Sequence, residues 1–298
     1  MMIRKKGIMA NLGTGVIYGI VILLGLICLL PMLNILAISF SGSDAAAANI
    51  VGFVPVKFTT AAYEKIMEDR QFWRSFGISV FRVGAGLVIN LVLIVLMAYP
   101  LSKTKREFKG RSVYMGLLIF AMLFSGGMIP TYLVVKNLHL LNTVWALVLP
   151  GAVPIFSVIM VMNFFMGVPK SLEEAAVIDG ATPLQVLTRV YIPCSKPVIA
   201  TIALFSIVGN WNDFFGGLIY MTKVRNYPLQ TYIQTLSVKL EDMLNSGGSL
   251  SSLINAMEVS SQNLNAAKIV VSVVPLLMIY PLLQRYLITG IVVGSVKE

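Results

Sequence analysis

Polar side chains inside apolar stretches are the residues of this chain best placed to do chemistry, because an ionisable or amide group is costly in hydrocarbon. The densest such group is Asn210-Trp211-Asn212-Asp213. Amides and a carboxylate hydrogen-bond hydroxyl groups, and an indole face stacks on the apolar face of a sugar ring, so the cluster suits a carbohydrate path. The same side chains also suit helix-to-helix packing, with Arg82 as counter-charge to Asp213. Both readings stand at this point. Asn90 and Asn163 occur singly in apolar stretches and read as interhelical hydrogen bonds.

A second set is acidic and lies outside the apolar stretches, in the segment 167–196. Gly167–Pro169 should stop one helix, and Ser171 followed by Glu174 has the spacing of a capping box, so a short helix is expected over about 172–178. Asp179-Gly180 supplies a left-handed stop. Thr182, Pro183 at the first helical position and Gln185 three residues after the cap begin a second helix, expected to end before Pro193. An interfacial helix lying on lipid headgroups would prefer Lys and Arg on its polar face. Here Glu173, Glu174 and Asp179 dominate, which argues for a protein docking on a folded helical knob.

Catalytic constellations are missing from the sequence. There is no G-x-x-x-x-G-K-[ST] phosphate loop, no H-E-x-x-H and no G-x-S-x-G. Cys28, Cys194 and the single His139 have no metal-ligand or disulfide spacing, so no metal site is expected. The net charge of +10 comes without basic stretches interleaved with base-stacking aromatics, and nucleic-acid binding is not expected.

The elements that must position these residues follow from composition. The chain is 57% hydrophobic and 12% charged, about half the charged fraction of a soluble domain, and its mean hydropathy is +0.84. Lipid must be part of its solvent. A hydrocarbon core takes about 20 helical residues to cross. Six stretches qualify: about 14–38, 76–100, 112–134, 143–166, 197–221 and 267–288. The first follows Arg4, Lys5 and Lys6 but is too long for a signal core and reads as a retained span.

Basic residues orient the spans. The loop after the second holds Lys103, Lys105, Arg106, Lys109 and Arg111 against the single acid Glu107, which makes that side cytoplasmic and both termini cytoplasmic. The segment 167–196 then falls on the cytoplasmic side. Residues 41–74 include an amphipathic stretch, and SGGSLSS at 246–252 reads as a flexible link. No internal repeat and no second soluble domain is evident, so residues 1–298 read as a single membrane domain.

The segment 174–193 resembles a known signature. Glu174-Ala175-Ala176, then Gly180, then Val190-Tyr191-Ile192-Pro193 is similar to the E-A-A loop of permease subunits in binding-protein-dependent ATP-driven importers. EEAAVIDGA, WNDFFGGLIYM and the C-terminal PLLMIYPLLQRYLITGIVVGSVKE look like the carbohydrate branch, similar to the smaller maltose-importer permease and to complex-oligosaccharide permeases of Bacillota. The resemblance covers nearly the whole chain. It implies an all-α, six-span permease of the type I importer fold whose cytoplasmic coupling helix docks on an ATPase. The residues matching the coupling motif are Glu173, Glu174, Ala175, Ala176, Asp179, Gly180 and Pro193, with the acids able to pair with ATPase cations.

The implied partners are a homologous second permease, two cytoplasmic ATPase subunits, an extracellular or periplasmic sugar-binding protein and membrane lipid. ATP and Mg would be bound by the ATPase subunits and no cofactor by this chain, which would be a non-catalytic subunit. The rival readings are a stand-alone secondary transporter or channel, and a permease of the same superfamily for a non-sugar solute. The first would want ionisable residues deep in several spans, and only Arg82 and Asp213 present themselves.

Overall fold

Glycine and proline decide where this apolar chain bends. In the computed structural model, which describes residues 8–236 and 262–295, every regular element among the described residues is helical. Arg4–Lys6, the 246–252 stretch and Lys297 lie outside those residues.

One compact unit contains α1 (Ile8–Ser39), α2 (Ser43–Ala47), α3 (Ala61–Glu68) and the start of α14 (Gln262–Ser295). Thr14–Ser39 is long and apolar enough to cross a membrane, and none of its most apolar window is buried within the chain. Its end is tied down by Asn34, whose Nδ2 donates to the carbonyls of Val51 and Gly52 at 3.1 and 2.7 Å. The helix α14 continues through Pro275 and Pro281.

The other unit contains α4 (Arg70–Ser102), α5 (Arg111–Leu123), α6 (Met128–Asn137), α7 (Trp145–Val148), α8 (Ile155–Met166), α9 (Lys170–Ile178), α10 (Pro183–Val186), α11 (Ile192–Cys194), α12 (Lys196–Asn212) and α13 (Phe215–Tyr220). Its core brings Ile94, Val95 and Ala98 of α4 against Val158, Val161 and Phe165 of α8 and Val198 and Ile202 of α12. Lipid tails are as apolar as these side chains, so such contacts stabilise by close packing rather than by leaving water. Val186, Leu187 and Tyr191, from the segment before α12, join the same core.

Among the described residues, three helices are long enough to span alone, and three bent helix pairs bring the count to six if each pair is one span. Two of the bends interrupt the expected third and fourth spans, and the third, of 86°, falls just before α12 where the expected fifth begins. Between α5 and α6 the chain turns by 113°, where Gly127 takes φ +87°, a conformation that strains a residue with a Cβ. Between α7 and α8, around Pro150 and Pro154, it turns by 50°. The helix α12 stops at Asn212: Asp213 is extended (ψ 102°), and its Oδ1 accepts from the backbone N–H of Gly216 at 3.0 Å. A short acidic side chain competing for backbone donors is a known way to end a helix.

Candidate functional site

The segment between α8 and α12 is an ordered knob, and its local chemistry explains the order. Gly180 has φ +79°, the left-handed turn that Asp179-Gly180 implies. Thr182 and Gln185 form the full capping box: the Thr182 Oγ1 accepts from the Gln185 N–H at 3.4 Å, and Gln185 Oε1 accepts from the Thr182 N–H at 2.8 Å. Val186 and Leu187 are buried. They lie outside the apolar spans, so their burial is worth about 1.5–3 kcal/mol each.

Two local expectations are corrected. The Ser171/Glu174 box does not form: Pro169 precedes the helix directly, which starts at Lys170 with no side-chain cap. The second helix does not end before Pro193. A π-helical turn, Leu187–Tyr191, lets it run through Pro193 to Cys194. The wider turn relieves the clash that a proline ring makes with the carbonyl four residues earlier.

The coupling-motif residues divide between two faces. Glu174, Ala175, Asp179, Gly180 and Pro193 are exposed, beside the exposed apolar side chains Leu172, Val177 and Ile178. Ala176 turns inward against the core. Glu173 does not stand free to meet a partner's cations. It pairs with Lys103, just past the end of α4, and its Oε2 accepts from the Tyr191 hydroxyl at 2.6 Å. Lys103 Nζ also donates to Tyr191 Oη at 3.0 Å and lies 4.4 Å from the ring centroids of both Tyr99 and Tyr191. Burial, then the Glu173 hydrogen bond and charge, push the Tyr191 phenol well above its ordinary range. Nearby, the Glu107 carboxylate is held below its usual range by the Thr104 backbone N–H and hydroxyl.

The second cluster lies toward the other end of α4. Arg82, only 3% exposed, pairs with Asp213 and donates from Nη1 to the Asp213 carbonyl at 2.9 Å. The counter-charge anticipated from sequence is therefore met. Arg82 Nε is buried and has no hydrogen-bond partner. Asn90 bonds the carbonyls of Gly151 and Ala152 at 3.0 and 3.2 Å and accepts from Ser206. Asn210 donates to the Ser206 carbonyl at 2.9 Å and packs across Gly86, where a Cβ would sit 2.8 Å from its amide.

These groups line a cleft of about 350 Å³, open on one side and otherwise walled by apolar residues of α7, of the turn between α7 and α8, and of α12, Phe205 among them. Asn212 is exposed. Trp211 is not open for ring stacking: it is 4% exposed, with Phe76 edge-on at 5.7 Å.

Sequence reasoning missed three features. Lys268 is almost fully buried and bonds Asp69 at 2.9 Å, a pairing across 199 residues with no local signal. Asn142, at φ +62°, ties the loop before α7 to that after α13: its Oδ1 accepts from the N–H groups of Thr222 and Lys223 at 2.8 and 3.3 Å. Lys103 was legible only as one of five orienting cations.

Comparison with known proteins follows the same lines. A family described as "Binding-protein-dependent transport system inner membrane component" matches residues 86–293. Protein LplC of Bacillus subtilis strain 168 is 44% identical over 273 residues, 92% of this chain and 90% of that protein. The polygalacturonan/rhamnogalacturonan transport system permease protein YtcP of the same organism is 37% identical over 281 residues, 94% and 96% of the two chains. Among solved structures, a chain of a bacterial ABC transporter involved in the import of the acidic polysaccharide alginate superposes with a TM-score of 0.81 at 31% identity, covering 96% of this chain and 99% of that one.

Proposed function

We propose a function from one premise: the chain belongs to the family of binding-protein-dependent transport system inner membrane components. It is an all-α membrane permease of the type I importer fold, and it serves as one transmembrane subunit of an ATP-driven importer for a sugar or oligosaccharide. The observation that carries the reading is the knob: an ordered helix pair rooted in the core through Val186, Leu187 and Tyr191, presenting an exposed apolar and acidic tip. Such a surface fits a groove on a protein partner better than lipid headgroups.

In this reading both termini and the knob are cytoplasmic, as the basic loop 103–111 requires. Glu174, Ala175, Asp179 and Gly180 form the surface that meets the ATPase. ATP and Mg stay with two ATPase subunits, so this chain is the non-catalytic, mechanical component. A homologous permease and an external binding protein complete the assembly. The sugar assignment draws on relatives named for polygalacturonan/rhamnogalacturonan and for alginate. The cleft at Arg82, Asn90, Ser206, Asn210 and Asp213 is the candidate stretch of the sugar path in this subunit, with hydrogen-bonding groups suited to hydroxyls.

The test is reconstitution with the products of neighbouring genes, measuring ATP-dependent uptake of trigalacturonate and maltotriose into proteoliposomes. Uptake of either that needs ATP and the binding protein is expected. Gly180→Pro should abolish it while the chain remains in the membrane. Ion-gradient-driven uptake by the lone chain, or wild-type uptake by Gly180→Pro, would overturn the proposal.

A further inference from the structure

The helix α9 contains no fully buried residue. It is nevertheless held at a defined place, and the residues that hold it come from three separate parts of the sequence. Lys103 follows the last residue of α4, Glu173 lies in the first turn of α9, and Tyr191 closes the π-helical turn. Both carboxylate oxygens of Glu173 are used, one by the Lys103 ammonium and the other by the Tyr191 hydroxyl at 2.6 Å. The ammonium is enclosed between the rings of Tyr99 and Tyr191, each 4.4 Å from it. Tyr191 is itself wedged edge-on between Tyr99 and Phe165, at 5.2 and 5.3 Å. Hydrogen bonds between ionised partners are shorter and stronger than neutral ones, and the half-buried aromatic surroundings limit their loss to water.

The π-helical turn makes this geometry possible. One residue more than an α-turn rotates everything beyond it by about 100° relative to a regular helix. Val186 and Leu187 stay in the core while the Tyr191 hydroxyl is aimed at Glu173. The outward side chains Glu174, Val177 and Ile178 of α9, and Asp179 just after it, take no part in the cluster.

We propose that Lys103, Glu173 and Tyr191 are positioning residues for energy coupling: a joint that bolts the docking helix α9 to the inner end of α4, so that displacement of α9 by the ATPase reaches the cleft-lining α4. The proposal rests on the coupling role given to the knob above. In it Glu173 acts inside the chain, and docking is left to the outward face. Without the joint the ATPase still binds and hydrolyses ATP, but α9 slips against α4.

The test uses the assembled importer and needs no knowledge of the sugar. Cys28 and Cys194 are replaced by Ser, and F205C at the cleft reports access through its labelling rate with a charged maleimide, without nucleotide and after vanadate trapping. The joint-intact reporter should show a rate difference of roughly 5- to 150-fold between the two states. K103M and E173Q should shrink that difference to within about twofold while the ATPase co-purifies undiminished, and Y191F should fall between. The reversed pair K103E/E173K should recover part of the difference, which a merely disrupted chain would not do. A full nucleotide effect in K103M and E173Q, or loss of the bound ATPase from them, would overturn the joint. No nucleotide effect in the reporter itself, with ATPase bound, would instead overturn the coupling reading beneath it.

Discussion

Two ion pairs, one within α4 and one just past its end, are separated by about 30 Å along its axis at 1.5 Å per residue, and they are built differently. At one Arg82, 3% exposed, grips a single residue, taking both the carboxylate and the main-chain carbonyl of Asp213 where α12 breaks. At the other Lys103 and Glu173, with side chains 14% and 23% exposed, meet inside an aromatic cage. A guanidinium is a planar fork that fixes direction, whereas an ammonium is a point charge that keeps its attraction as its partners rotate. The first pair suits a static staple that replaces hydrogen bonds lost at a helix break. The second suits a joint whose members shift together.

The largest expected effect tests the staple. Asp213→Leu leaves Arg82 buried without a counter-charge, holding only the main-chain carbonyl, which should cost about 3–5 kcal/mol of stability. Removing both partners in Arg82→Met/Asp213→Leu should recover much of that loss. The corresponding break at the joint, Lys103→Met, should cost less, about 1–2 kcal/mol, because Glu173 keeps the Tyr191 hydroxyl as a donor and some contact with water. Denaturation of the purified chain in detergent measures all three. Equal losses at the two pairs would break the comparison. A large coupling energy at Arg82–Asp213 with a small one at Lys103–Glu173 would sharpen it.

The two regions also differ in how far the sequence discloses them. The knob is written locally: Gly180 supplies its left-handed turn, and Thr182-Pro183-Gln185 supplies a cap within three residues. Such signals depend on near neighbours and survive without knowledge of the fold. The Arg82–Asp213 pair, 131 residues apart, was legible for a different reason, since an ionisable residue deep in a span needs a counter-charge and few were on offer. Lys268 escaped because it sits at the edge of its apolar stretch, where a cation excites no suspicion, yet the fold buries it against Asp69. The pairing of Glu173 within its own chain was not legible because an acid next to Glu174 on an exposed helix has the same local signature whether it faces a partner or its own chain. The helix breaks were missed because average hydropathy is blind to them. Ser125-Gly126-Gly127 and Asp213 interrupt the backbone while leaving the apolar count intact.

Within the knob, effects should scale with how directly each residue holds the backbone. Gly180→Ala forces a Cβ into a left-handed residue and should cost roughly 1–2 kcal/mol. Thr182→Ala removes one half of the capping box and should cost about 1 kcal/mol. Both should raise protease sensitivity between α8 and α12 and leave the cleft at Arg82 untouched. A change in F205C labelling without nucleotide in either variant would show that the knob and the cleft are not separable in this way.

The smallest effect expected is that of pH on the joint between about pH 7 and pH 9, and it follows from Tyr191. Burial comes first among the causes that raise its phenol, followed by the hydrogen bond to Glu173 and that carboxylate's charge. A group whose pKa is raised in the folded protein holds its proton more tightly there than in the unfolded chain. Its contribution is therefore complete below the ordinary value of 10.0 and is lost only as pH climbs beyond that toward the raised value. Through the working range Tyr191 thus remains a donor to Glu173, and the nucleotide-dependent labelling of F205C should stay flat across it. Y191F should lower that difference by the same factor at every pH, since it deletes the donor without adding a titrating group. A decline of the Tyr191-containing joint over that interval would mean that the phenol is not the donor holding Glu173, and the contrast between a caged joint and a fixed staple would lose its chemical basis.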